Sequence, residues 1–201
     1  MTFFEYMMVM VSLIMALALS HIMRASAEFL SSPKRYWVQS SWAVIIVLLI
    51  LQSWWAYWDL RDITDWSFLK YLSIFFYPLF FSFIASVLIP ANRDAEYDWR
   101  VSFYKKRVWF FWAMIASSIV AVLHTWLVMG SPLFHPYRIF QLTLIAILLV
   151  GLVGKSPKTQ AFVVIAYAGN IVCDVHNFLT ISFMSIMVMS SSKLYPIGCK
   201  S

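Results

Sequence analysis

Asp174 lies in the middle of a stretch, Gln160 to Ser190, that is otherwise almost wholly apolar, with Asn170, His176 and Asn177 as polar neighbours. Asn170, Asp174 and Asn177 stand at i, i+4 and i+7, the spacing that brings side chains to one helical face. A carboxylate in hydrocarbon must be paired, hydrated or protonated, because an isolated charge there is expensive. Cation binding and proton carriage are the functional chemistries this implies. The alternative is a structural polar cluster that joins helices through buried hydrogen bonds.

Other residue types widen the list. His124 and His176 offer two imidazoles suited to the axial positions of a haem. Met7, Met8, Met10 and Met15, with Met184, Met187 and Met189, offer thioethers that ligate Cu(I), although methionine is also an ordinary gap-filling or lipid-facing residue. The interiors of the last two apolar runs hold no lysine for a retinal Schiff base. Cys173 and Cys199 form no spaced ligand set and no disulfide framework. Phosphate-binding glycine loops, His-Glu-x-x-His and Gly-x-Ser-x-Gly are absent from the sequence, so soluble-type enzyme chemistry has no support. The sequence therefore names neither a cofactor nor a metal.

The elements that must position these residues are set by composition. The 201 residues are 62% hydrophobic and only 12% charged, with a mean hydropathy of +0.78, against about 25% charged in an average soluble domain. This is an all-α, polytopic integral membrane bundle in a single transmembrane domain over residues 1–201, with no room for a folded soluble domain beside the spans. A net charge of +6 does not point to nucleic acid, because the basic residues sit in loops next to apolar runs, where anionic lipid headgroups are the natural counterparts.

Six spans are predicted, at about 3–22, 37–58, 66–89, 108–129, 137–153 and 160–190. The first lacks a basic n-region ahead of its apolar run and reads as an uncleaved span whose helix continues past His21, Arg24 and Glu28 toward Leu30. Ser12, Ala16 and Ser20 form a small-residue ridge on it that suits close packing against a neighbour. The second carries aromatic belts at both ends, Tyr36 and Trp37 at one and Trp54, Trp55, Tyr57 and Trp58 at the other. Pro78 sits in the middle of the third and predicts a kink, with neighbouring helices left to satisfy the freed carbonyl. In the loop 91–107, Tyr97, Val101 and Tyr104 repeat at i, i+4, i+7, which predicts a short surface helix with Asn92 as its N-cap. That helix ends at Lys105, Lys106 and Arg107, a cluster suited to lipid-headgroup contact. The last stretch would be roughly 45 Å long as one helix, more than the roughly 30 Å hydrocarbon core, so it is tilted, protruding, or broken at Gly169 and Asn170.

Ten of the fifteen Lys and Arg residues fall in loops 23–36, 91–107 and 154–159, which are therefore predicted to be cytoplasmic, with both termini outside, in an inner or plasma membrane. Counting from the cytoplasmic end of each span, Gln52 lies roughly 22 Å deep, His124 roughly 24 Å and Asp174 roughly 21 Å, while Gln141 lies roughly 8 Å from the outer end. Four spans thus offer polar groups at one level in the outer half. The expected function is conduction, transport or sensing of a small solute or ion through a polar cavity around Asp174, Asn170, Asn177, His176, His124, Gln52 and Gln141. Two alternatives come from other classes: a non-catalytic membrane subunit binding a partner protein through the 91–107 loop, and a haem or redox membrane protein. Homo-oligomerisation to build a pore is compatible with a chain this small.

Overall fold

The computed structural model describes residues 2–90, 97–129 and 137–173. Among these the chain is helical throughout, with no strand. The helices are α1 (Phe3–Ser31), α2 (Trp37–Ala56), α3 (Phe68–Leu88), α4 (Trp99–Met129), α5 (Tyr137–Val153) and α6 (157–173), with a single 3-10 helix, Tyr57–Asp62, following α2. Among the described residues, four segments are long and apolar enough to cross a membrane: Phe4–Ser26, Trp37–Asp62, Phe68–Leu88 and Trp99–Val128. At 17 residues, α5 is about 25 Å long, close to the short limit for a span. The protein is an integral membrane helical bundle. The part of the last predicted span beyond residue 173 lies outside the described residues.

Local sequence explains where the helices begin and end. Thr2 and Glu5 form a reciprocal capping box on α1, the Thr2 hydroxyl accepting from the Glu5 N–H at 3.2 Å and the Glu5 carboxylate from the Thr2 N–H at 2.8 Å. Ser67 caps α3 by accepting from the Lys70 N–H. In the turn before it Lys70 lies 2.6 Å from the Asp65 carboxylate and holds that exposed carboxyl below the usual carboxylate range. The helix of α3 runs through Pro78. Proline supplies no N–H to the carbonyl four residues before it, here Ile74, and the Tyr57 hydroxyl donates to that carbonyl at 3.1 Å.

The core runs through all the helices, and an aromatic cluster within it lies between α2, α4 and α6. The Trp42 ring meets Phe110 edge-on at 5.1 Å, Phe111 at 5.8 Å and Tyr167 at 5.1 Å, and all four are buried. Gly151 lets α5 reach α4 and α6, since a Cβ there would stand 2.5 Å from the Phe111 ring and 3.0 Å from Val163. The outward faces carry exposed Leu17, Leu48, Phe83 and Ile119, as a bilayer requires, and Trp37, Trp54, Trp55 and Trp58 are exposed at the two ends of the second span.

Three expectations are corrected. The helix foreseen in the 91–107 loop is not a separate surface element: residues 99–107 run unbroken into the span as the first turns of α4. Its buried stripe is Trp99, Phe103, Arg107 and Phe110, which continues into the membrane, whereas Val101 is 64% exposed. Trp99 packs edge-on against Phe29 of α1 at 5.0 Å and Phe103 lies 5.6 Å from Tyr36, so the bundle, not the membrane surface, claims this face. Asp98 begins the helix by accepting from the Val101 N–H at 3.0 Å, and the expected cap, Asn92, lies outside the described residues. Second, Ala16 and Ser20 of the small-residue ridge are exposed, and α1 buries Met7, Val11, Met15, Ala18, Ile22 and Ala25 instead. The larger apolar side chains of α1 fill the interface with α3, which also receives a hydrogen bond from Ser82 to the Ile14 carbonyl at 3.2 Å. Third, α6 continues through Gly169 and Asn170, so no break occurs there.

Candidate functional site

A cavity of about 190 Å³ opens where α2, α3, α4, α5 and α6 converge. From α2 and the turn after it come Gln52, Ser53 and Tyr57; from α3, Tyr77 and Phe81; from α4, Ser117, Ser118, His124 and Thr125. Gln141 and Leu144 of α5 and Tyr167 and Ile171 of α6 complete it. Three of the predicted site residues, Gln52, His124 and Gln141, thus line one cavity, from three different helices. Asn170 is half-buried, its amide oxygen is buried without a partner, and it is not among the lining residues. Asp174, His176 and Asn177 lie outside the described residues.

Hydrogen bonds fix what the walls present. Ser53 donates to the Leu49 carbonyl at 2.6 Å, and Ser117 and Ser118 donate to the Met114 carbonyl at 2.8 and 2.9 Å. Thr125 donates to Ala121 or Val122 at 3.1 and 3.0 Å. This back-bonding satisfies each hydroxyl proton within its own helix and leaves an oxygen lone pair for another donor. His124 is oriented in the same way. Ser73 donates to the Lys70 carbonyl at 2.7 Å, so its oxygen accepts from His124 Nδ1 at 3.1 Å. In that tautomer the neutral ring keeps Nε2 as an acceptor. The Tyr57 ring stands edge-on to the imidazole at 6.3 Å.

The one charge bonded to the described lining was not foreseen. Arg138, in the first turn of α5, is only 6% exposed. Its Nη1 donates to Gln141 Oε1 at 2.9 Å, Thr125 Oγ1 at 2.7 Å and the Val122 carbonyl at 3.2 Å, while its Nη2 is buried with no partner. Among the described residues no carboxylate pairs with it. The sequence signal was local, an arginine three residues before Gln141 on one helix face. With Oε1 engaged by arginine, Gln141 has its amide N–H groups free for the cavity. Gln52 makes no hydrogen bond among the described residues.

At the opposite end of the bundle, buried polar side chains close helix termini. Gln39 Nε2 donates to the Leu88 carbonyl at 2.6 Å and His21 Nε2 to Ile89 at 2.6 Å, satisfying the last carbonyls of α3. At the end of α5, Gln160 Nε2 donates to Gly151 at 2.9 Å and Gly154 at 2.6 Å, and Arg107 Nη1 also donates to Gly154. Of the basic cluster expected at lipid headgroups, Lys105 is exposed and Lys106 half-buried, whereas Arg107 is buried as this cap, its charge favourable at a helix C-terminus.

For haem, His124 keeps a free Nε2, and its expected partner His176 lies outside the described residues. Among the described residues no group of three or more His, Cys, Asp and Glu side chains comes together. In comparison with known proteins, the chain matches no family model, no curated protein and no solved structure. Function therefore rests on the chemistry of the site itself.

Proposed function

We propose that this protein conducts, transports or senses a small solute or ion through the polar cavity in the outer half of its bundle. The supporting observation is that Gln52, His124 and Gln141, drawn from three helices, line one cavity with four hydroxyl-bearing residues of α2 and α4. Interior polarity of this kind is expensive in hydrocarbon and marks solute pathways in membrane proteins. Asp174 belongs to the same reading. Tyr167 and Ile171 both line the cavity, and Asp174 follows them by seven and three residues, positions that share a face on a helix. Under the expected six-span topology, with loops 23–36, 91–107 and 154–159 cytoplasmic, the cavity lies toward the outside.

The test is Asp174→Asn, with solute and ion flux measured in proteoliposomes and folding checked by gel filtration and tryptophan fluorescence. The expected result is a folded protein with flux reduced by tenfold or more. Flux equal to that of the unaltered chain, with folding retained, removes the carboxylate from the mechanism.

A further inference from the structure

A second cavity, of about 320 Å³, lies at the basic end of the bundle and differs in kind from the first. It is a crevice between α1 and α2, running from Phe29 and Gln39 to Ile22 and Leu48, with Ile89 after α3 and Trp99 of α4 as its floor. We propose that this crevice binds an anionic phospholipid, with one acyl chain between α1 and α2 and the phosphate at Lys34 and Arg35 of the loop that joins them. The site is separate from the polar cavity and does not depend on the functional reading above.

The walls offer almost only hydrocarbon. The Ser26 hydroxyl donates to the Met23 carbonyl at 2.6 Å and the Ser40 hydroxyl to the Trp37 carbonyl at 3.1 Å, so both protons are turned to their own helices. Gln39 gives its Nε2 to the Leu88 carbonyl, and its unpartnered Oε1 is buried rather than presented to the crevice. A polar solute therefore gains nothing there for the water it gives up. Met23, Val44 and Leu48 are exposed lining residues, so the crevice opens sideways to the bilayer.

Its dimensions select a chain over a helix. From Gln39 to Leu48, α2 rises about 13 Å, close to half of the roughly 30 Å hydrocarbon core, the depth of one leaflet. A volume of about 320 Å³ over that length leaves a mean cross-section of about 24 Å². A helix, about 10–12 Å across, is too wide for it, whereas a hydrocarbon chain is not. The slot exists because small residues, Ala25 and Ser26 on one wall and Ser40 and Ala43 on the other, face it.

Charge selects the headgroup. Residues 32–36 join the two walls at the basic end, and Lys34 and Arg35 within them are exposed. Arg100, also exposed, follows Trp99 of the floor. Residues 23–36 hold Arg24, Lys34 and Arg35 against a single acidic residue, Glu28. The nearby Asp98 accepts from the Val101 N–H at 3.0 Å as the cap of α4. A phosphate at this loop, with its chain descending along α2, meets exposed cations at the level where headgroups lie.

The experiment offers the full chain, purified in mild detergent, an equimolar mixture of phosphatidylglycerol and phosphatidylcholine with identical chains, and counts bound lipid by native mass spectrometry. One phosphatidylglycerol should be retained per chain, favoured at least about fivefold over phosphatidylcholine. Lys34→Gln combined with Arg35→Gln should abolish the preference. Ala43→Phe, which fills the crevice from α2, and Ser26→Leu, which fills it from α1, should each remove the retained lipid, with folding checked by gel filtration. Equal retention of the two lipids by the unaltered chain, or an unchanged preference in the double variant, overturns the proposal, whether or not the filling variants fold. A folded Ala43→Phe or Ser26→Leu protein that keeps its lipid overturns it by placing the lipid elsewhere. A lipid-free dimer that these two variants split into monomers gives the crevice to a second copy of the chain and overturns it as well.

Discussion

Pro78 leaves the Ile74 carbonyl without an intrahelical donor in the middle of a span, and the Tyr57 hydroxyl supplies one. This single bond ties the 3-10 helix to α3 beside the cavity. Tyr57→Phe should lower stability in detergent by about 1–2 kcal/mol, the usual result of leaving a buried acceptor unmet. In a Pro78→Ala background the helix regains its own N–H at that position, so the same change should have almost no effect. Thermal unfolding of the four proteins measures the difference, and equal losses in both backgrounds would mean that Tyr57 stabilises the fold by another route. The need for such a donor was legible in the sequence, but its identity was not, because Tyr57 reaches α3 only through tertiary packing. The same distinction separates the site residues. Gln52, His124 and Gln141 were legible because depth along a span follows from a fixed rise per residue. Arg138 was missed because two of its acceptors, Thr125 and the Val122 carbonyl, belong to a neighbouring helix.

At the scale of helices, glycine at two positions has opposite meanings. Gly151 of α5 faces Phe111, which is fully buried between Phe110 at 5.3 Å and Trp42 at 5.8 Å and cannot yield to a Cβ placed 2.5 Å away. Gly169 of α6 faces open space, with no atom within 4 Å of a Cβ built there. Gly151→Ala should therefore destabilise by about 1–3 kcal/mol through overpacking. Gly169→Ala should stabilise by up to about 1 kcal/mol, because glycine within a continuous helix is less favourable than alanine. Thermal unfolding of the two variants checks both signs, and destabilisation by Gly169→Ala would argue that α6 needs its glycine for a bend or a close approach. Sequence reasoning weighed Gly169 as a breaker because glycine punctuates helices in isolation. In a span, backbone hydrogen bonds have no water to replace them, and the helix persists. The loop before α4 misled for a related reason. Its periodic Tyr97, Val101 and Tyr104 suggested an interfacial face, but the larger Trp99 and Phe103 define a stripe that α1 and the start of α2 bury.

For the molecule as a whole, the two ends of the bundle differ in kind. Where α1, α3 and α5 terminate, the buried Gln39, Gln160 and Arg107 and the half-buried His21 each donate to carbonyls at helix ends, and the surrounding loops carry most of the basic residues. Toward the other end, the polar side chains face a cavity. At 31 residues α4 is about 46 Å long, so it extends past a roughly 30 Å hydrocarbon core, and its first turns, with Lys105 and Lys106, stand at the basic end. By the positive-inside rule this basic end is expected in the cytoplasm, and the proposal that the cavity faces outward rests on that expectation. With Cys173 and Cys199 replaced by serine, single cysteines at Lys34 and Lys155 should react with a membrane-impermeant maleimide only after the cytoplasmic face is opened. A cysteine at Asp59, exposed beyond α2, should react in intact cells. The reverse pattern would turn the bundle over and direct the cavity to the cytoplasm, so that any solute it binds would be drawn from inside the cell.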